Sequence, residues 1–262
     1  MSSSYIASMV IEVPELPNFV SLIKKVYGDS PWVMLLHEWE NIVFALIVTL
    51  GILITFYIGT RNATLLPSSF QNFLEWFAEN LQRFVVEVLG KKGKKYVPFL
   101  GTLFLYILSM NLFVLVPLMK APSSSLNITV ALALCVFVLV QYLNIKNFGF
   151  LGFLYHLAGS PKGAIGWALV PLMLPIEILT QLTRPLTLAL RLFGNVLGED
   201  ILIGTFALFG VTFLSSYVYE LPLGIPLQIP FMFLALLTGL MQALVFTLLT
   251  TVYILLSTPD HK

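Results

Sequence analysis

The chain has 262 residues, 58% of them hydrophobic and 10% charged, with a formal net charge of +1. Soluble domains carry roughly 25% charged residues, so this composition and a mean hydropathy of +0.92 place the chain in a membrane. Near-neutral charge without a basic, aromatic-interleaved run gives no nucleic-acid partner, and a lone Cys135 with no Cys/His cluster gives neither disulfide nor metal site.

The opening residues, MSSSYIASMVIEVPELPNF, lack the basic start and long apolar stretch of a cleavable signal. Residues 1–40 are therefore expected to be a retained segment ahead of the first span. A helix needs ~20 apolar residues to cross a bilayer. Stretches of that kind fall at 41–60, 97–119, 126–145 and 227–257, and a fifth, at 168–218, is far too long for one upright helix. Either it is steeply tilted or it turns back at GNVLGED. Pro171, Pro175 and Pro185 offer places to kink.

Between the first two spans, Phe70, Phe73, Leu74, Phe77, Leu81, Phe84 and Val88 recur at helical spacing, with Glu75, Glu79, Arg83 and Glu87 between them. This pattern predicts an interfacial amphipathic helix over 68–90, with Ser68 or Ser69 as N-cap and Gly90 as its stop. The KKGKK that follows reads as a topology signal before a lipid patch. With five spans, Arg61, Arg83, Lys91, Lys92, Lys94, Lys95, Lys146, Lys162 and Lys262 share the amphipathic helix's side, against Lys24, Lys25 and Lys120 opposite. The positive-inside rule then sets the N-terminus outside and the C-terminus in the cytoplasm.

On one α-helix, measured from Arg191, Glu177 falls at about +40°, Arg184 at about +20°, Asn195 at about +40° and Glu199 at about +80°. Asp200 lies about 180° away. A turn at GNVLGED would scatter this stripe, which favours one long tilted helix. An arginine at mid-bilayer costs roughly 2.5–3.5 kcal/mol on insertion scales and as a rule marks an ion route. Arg191 has Thr187, Leu188, Gly194 and Asn195 at i±3 and i±4, none acidic, and no other span holds an Asp or Glu. Its counter-charge is expected on another polypeptide. Arginine keeps its proton, so Arg191 acts as a fixed cation, whereas Glu199 and Asp200 can exchange protons with water or cap a helix end.

In the last span, Thr238, Gln242 and Tyr253 lie near one face. Interhelical hydrogen bonding and the lining of a water path both fit that row. Gly239 would let another helix approach closely. His37 and His156 read as ordinary interfacial histidines, and Cys135 as lipid-facing or packed.

LTRPLTLALRLFGNVLGEDILI, preceded by PIEILTQ and followed by TGLMQALVFTLLTTVYI, resembles the a subunit of F-type ATP synthases. The likeness is firm over 165–257 and extends more loosely to HEWENIVFAL and PLMKAPSSSLNIT. It implies a single all-α integral membrane domain, with five transmembrane helices and one interfacial amphipathic helix. The spans would lie at 41–60, at 97–145 (the second and third) and at 168–257, a long tilted hairpin facing a ring of c subunits. The resemblance makes Arg191 the stator charge opposite the ring carboxylates, with Glu199, Asp200, Asn195, Glu177, Gln242 and Arg184 lining two offset aqueous half-channels. No cofactor is implied. The implied partners are the c-ring, the b-subunit peripheral stalk, the rest of the F1Fo complex and membrane lipid, in a bacterial inner membrane. One departure stands out: some relatives carry an ionisable group in the last span where FLALLTGLMQ has none before Gln242. The competing reading is a self-contained secondary transporter, but the repeated halves typical of that class are missing. An intramembrane hydrolase would need a nucleophile with a base or metal site within the spans, which the sequence does not offer.

Overall fold

The computed structural model describes residues 18–28, 30–61, 68–157, 159, 163–217 and 226–258. The expectations about the first seventeen residues, Lys162 and Lys262 lie outside them, as does the side chain of His156. Among the described residues there are helices and no strands: α1 (Phe19–Tyr27), α2 (Pro31–Glu38), α3 (Glu40–Arg61), α4 (Ser69–Leu89), α5 (Val97–Leu112), α6 (Leu126–Leu157), α7 (Gly163–Tyr217) and α8 (Ile229–Leu256). Five of these helical stretches are long and apolar enough to cross a membrane. This is the economical answer to a bilayer, where every backbone N–H and C=O must be satisfied within the segment.

The amphipathic helix α4 starts where the sequence indicates. Ser68 accepts a hydrogen bond from the Gln71 backbone N–H at 3.3 Å, and Gly90 closes the helix at φ 68°, a left-handed conformation that costs glycine little. Its apolar side packs inward: Val85 is fully buried and the Phe77 ring stacks on Phe104 of α5 at 5.9 Å. By contrast α3 stands at the edge, with Leu46, Leu50, Leu53, Ile54, Tyr57 and Ile58 all exposed. Apolar surface on that scale suits lipid.

Two element ends differ from the sequence reading. The second span was expected to run to 119, but α5 ends at Leu112, with one 3-10 turn to Leu115. Pro117 explains the stop, because a proline forces the residue before it out of the helical region, and Val116 is extended at φ −84°, ψ 121°. The third span, expected to end at 145, continues as helix to Leu157 across a kink at Gly149, whose φ is 71°.

The long stretch forms one helix. α7 runs without interruption through Pro171, Pro175 and Pro185, and its membrane-compatible part, Val170–Thr212, has 43 residues. At ~1.5 Å per residue that is about 65 Å of helix against a hydrocarbon core of ~30 Å, so α7 cannot stand upright in the bilayer. The core joins Leu100, Ile107 and Met110 of α5 to Leu188, Leu192 and Val196 of α7 and to Phe246 and Ile254 of α8. Close packing needs Gly239 of α8, since a Cβ there would lie 3.2 Å from the Asn111 Cβ of α5.

At the end of the bundle away from α4, a buried polar corner fixes the chain's approach to α3. Asn18 and Ser21 form a reciprocal capping box that starts α1. The Glu40 carboxylate, 5% exposed, accepts from Lys120 Nζ at 3.0 Å and from Asn18 Nδ2 at 3.4 Å, and lies 3.2 Å from His37 Nδ1. Breaking a buried pair by removing one partner costs about 3–5 kcal/mol, whereas replacing both with apolar groups is often neutral. Lys120→Met alone should therefore lower thermal stability in detergent by roughly that amount. Combined with Glu40→Leu, most of the loss should return; equal melting of the single and double variants would show that the pair is energetically idle.

Candidate functional site

The intramembrane polar groups are organised by the antiparallel packing of α7 against α8. Starting at the far end from α4, the Phe206 and Phe231 rings stack at 4.1 Å. Seven residues back along α7 and seven forward along α8, Thr238 donates a hydrogen bond to Glu199 Oε1. Four further on each, Asn195 Nδ2 donates to Gln242 Oε1 at 3.1 Å. Eleven further, the Arg184 guanidinium lies over the Tyr253 ring, 5.4 Å from its centroid. Equal steps on both helices hold one register through all four contacts. Thr238, Gln242 and Tyr253 thus each meet a member of the α7 stripe, which accounts for the row on α8.

Two buried polar atoms of this row have no hydrogen-bond partner among the described residues: Glu199 Oε2 and Gln242 Nε2. Glu199 is 8% exposed and Gln242 3%. An unpaired buried polar group costs about 1–3 kcal/mol, so their persistence one helical turn apart needs a reason beyond packing. Asp200 is partly buried.

At the same register Arg191 falls opposite Phe246, which is fully buried. The Arg191 side chain is exposed, and among the described residues no carboxylate lies within 4 Å of it. On its flank, a Cβ added to Gly194 or Gly198 would meet nothing within 4 Å. The surface around the cation is therefore low and open, shaped for close approach of another body.

Toward the α4 end, α6, α7 and α8 enclose a cavity of about 150 Å³ lined by Asn144, Glu177, Gln181, Arg184, Tyr253 and Ser257. Gln141 of α6 donates to Gln181 Oε1 at 2.6 Å, and Asn144 donates to Gln141 at 3.5 Å. Glu177 and Arg184 share this cavity without an ion pair between them. Polar residues thus flank Arg191 in both directions along α7.

The sequence reading overlooked several members. Gln141, Asn144 and Gln181 are amides inside apolar runs, and Gln181 falls at about +80° on the Arg191 stripe, so the angular test could have found it. Asn111 is a lone amide in its span, 1% exposed. It accepts from Ser123 Oγ at 2.8 Å and donates to the Gly239 carbonyl at 3.3 Å. His37 lies outside the spans against Glu40, and Cys135 is exposed. A double-mutant cycle on Asn195→Leu and Gln242→Leu, read by thermal stability in detergent, should give a coupling of about 0.6–1.7 kcal/mol, the range of intramembrane hydrogen bonds. Additive effects would mean the two amides do not meet.

Comparison with known proteins agrees with this architecture. The family described as ATP synthase A chain matches residues 42–255. The chain is 63% identical over 245 residues to ATP synthase subunit a of Protochlamydia amoebophila, covering 94% of this chain and 90% of that protein. Against ATP synthase subunit a of Solidesulfovibrio magneticus it is 40% identical, over 82% of each chain. The corresponding protein of Moorella thermoacetica is 33% identical, over 82% of this chain and 89% of its own length. With most of its length matched to full-length relatives, this chain belongs to the ATP synthase A chain family.

Proposed function

We propose that this chain is the membrane stator of a rotary F-type ATP synthase, converting proton flow into rotation of a neighbouring c-ring. It is a non-catalytic subunit: ATP is made in the attached soluble head. The observation that carries the reading is Arg191, an exposed cation within an apolar stretch, with no carboxylate of the described residues within 4 Å. Such a charge costs roughly 2.5–3.5 kcal/mol to bury in lipid, a penalty that a carboxylate on a passing rotor would offset. The glycines beside it leave space for that approach.

The chemistry follows from what each group can do. A protonated ring carboxyl arriving at Arg191 is driven to ionise, because a nearby cation favours the charged form. Its proton leaves through water on one side of the arginine, and the carboxylate regains a proton from the other side once past it. The Asn195–Gln242 and Glu199–Thr238 row would form one half-channel, with Glu199 Oε2 as a proton acceptor. The cavity holding Glu177 and Arg184 would form the other. Because Arg191 keeps its own proton, it blocks a direct leak between them and acts through charge alone.

The orientation rests on the basic residues. Arg61, Arg83, Lys91, Lys92, Lys94, Lys95 and Lys146 lie on the α4 side of the spans and Lys24, Lys25 and Lys120 on the other, so the α4 side is cytoplasmic by the positive-inside rule. The membrane is a bacterial inner membrane, and the further partners are the b-subunit stalk and the remaining F1Fo subunits.

Arg191→Ala should abolish proton-driven ATP synthesis in membrane vesicles while leaving the complex assembled, and Arg191→Lys should fail too, since an ammonium has a different reach and can lose its proton when desolvated. Normal synthesis by Arg191→Ala would overturn the reading. Solute transport by the purified chain alone in liposomes would do so in favour of a secondary transporter.

A further inference from the structure

Away from the α7–α8 site, α3, α4 and α5 diverge to leave an apolar groove of about 330 Å³. That is the lower end of small-ligand pockets, roughly 300–1,000 Å³. Its walls are Leu53 and Phe56 of α3, Phe77 and Leu81 of α4, and Pro98 and Leu105 of α5. Thr102 brings a hydroxyl to the lining, and that hydroxyl already donates to the Pro98 carbonyl at 2.7 Å. Gly101 forms the floor, where a Cβ would come within 2.6 Å of Leu81 Cδ2. The groove therefore suits the body of an apolar ligand and offers that ligand little to hydrogen-bond.

The charge stands beside it. Lys91, Lys92, Lys94 and Lys95, all exposed, occupy a 3-10 turn that runs directly into Val97 and Pro98 of the groove wall. The turn is fixed rather than loose. Gly93 is buried against α4 so closely that a Cβ would lie 2.6 Å from Leu89 Cβ, its N–H bonds the Gly90 carbonyl at 2.9 Å, and Lys95 Nζ sits 4.7 Å from the Tyr96 ring centroid. Among the described residues none of the four lysines has a carboxylate within 4 Å. Of the acids on α4, Glu75 is engaged by Gln71 and Glu79 by Arg83, which leaves Glu87 as the exposed acid nearest in sequence. A topology signal needs charge alone. It requires neither a rigid turn nor an apolar slot at its foot.

We infer that this corner binds an anionic glycerophospholipid of the leaflet in which α4 lies, its phosphate at the lysine turn and an acyl chain in the groove. Juxtamembrane lysines contribute about fivefold each to the affinity for an anionic surface, and the slot converts that general attraction into a defined seat. A helix of another subunit seated in the groove would instead have to accommodate four unpaired cations at its edge.

The test uses the assembled complex in phosphatidylcholine liposomes carrying a trace of phosphatidylglycerol or phosphatidylcholine with a photoactivatable diazirine in the acyl chain. The phosphatidylglycerol probe should label residues 52–56 and 97–105 about fivefold or more above the phosphatidylcholine probe. Lys94→Gln with Lys95→Gln should reduce that labelling by about fivefold per lysine, and Thr102→Trp should remove it by filling the slot while the charges remain. Equal labelling by both probes overturns the proposal. So does an unlabelled groove that cross-links to another subunit. Should a variant fail to assemble, the comparison of the two probes on the unaltered complex still decides.

Discussion

Everything functional in this fold depends on the fixed register between α7 and α8. A helix about 65 Å long carrying two arginines and three acids would be untenable in lipid as an isolated element, since each ionisable group must find protein or water. The second helix supplies a polar partner at three levels and an aromatic stack at a fourth. Individually such contacts are modest, averaging about 0.6 kcal/mol inside membranes. Their shared register makes them a single constraint, because no one of them can shift without the others.

The same register leaves Arg191 out. Its level on α8 holds a buried phenylalanine, so the pairing that accommodates Glu199, Asn195 and Arg184 withholds a partner from Arg191, the exposed one of the two α7 arginines. An internally satisfied arginine would be a structural salt bridge. An unsatisfied one on an open surface is a charge available to something outside the chain.

The spans, the amphipathic helix with its Ser68 cap, and the grouping of Arg184, Arg191, Asn195 and Glu199 were legible in the sequence because each follows from local periodicity. Long-range partners were not. Lys120 reaches Glu40 across eighty positions, and nothing in either neighbourhood announces the other. The end of α5 was misread because hydropathy continues through Val114 and Val116 while Pro117 has already closed the helix. The amides at Gln141, Asn144 and Asn111 escaped notice because a neutral polar residue in an apolar run changes its hydropathy little. In a membrane it still has to find a hydrogen-bond partner.

The equal spacing of contacts along α7 and α8 also limits how this pair can change in evolution. Adding or removing one residue between Arg184 and Phe206 would turn everything beyond it by about 100°, swinging the residues past the change off their partners at once. Length variation in descendants of this gene should therefore collect outside these two segments, and substitutions inside them should arise as matched changes on facing helices.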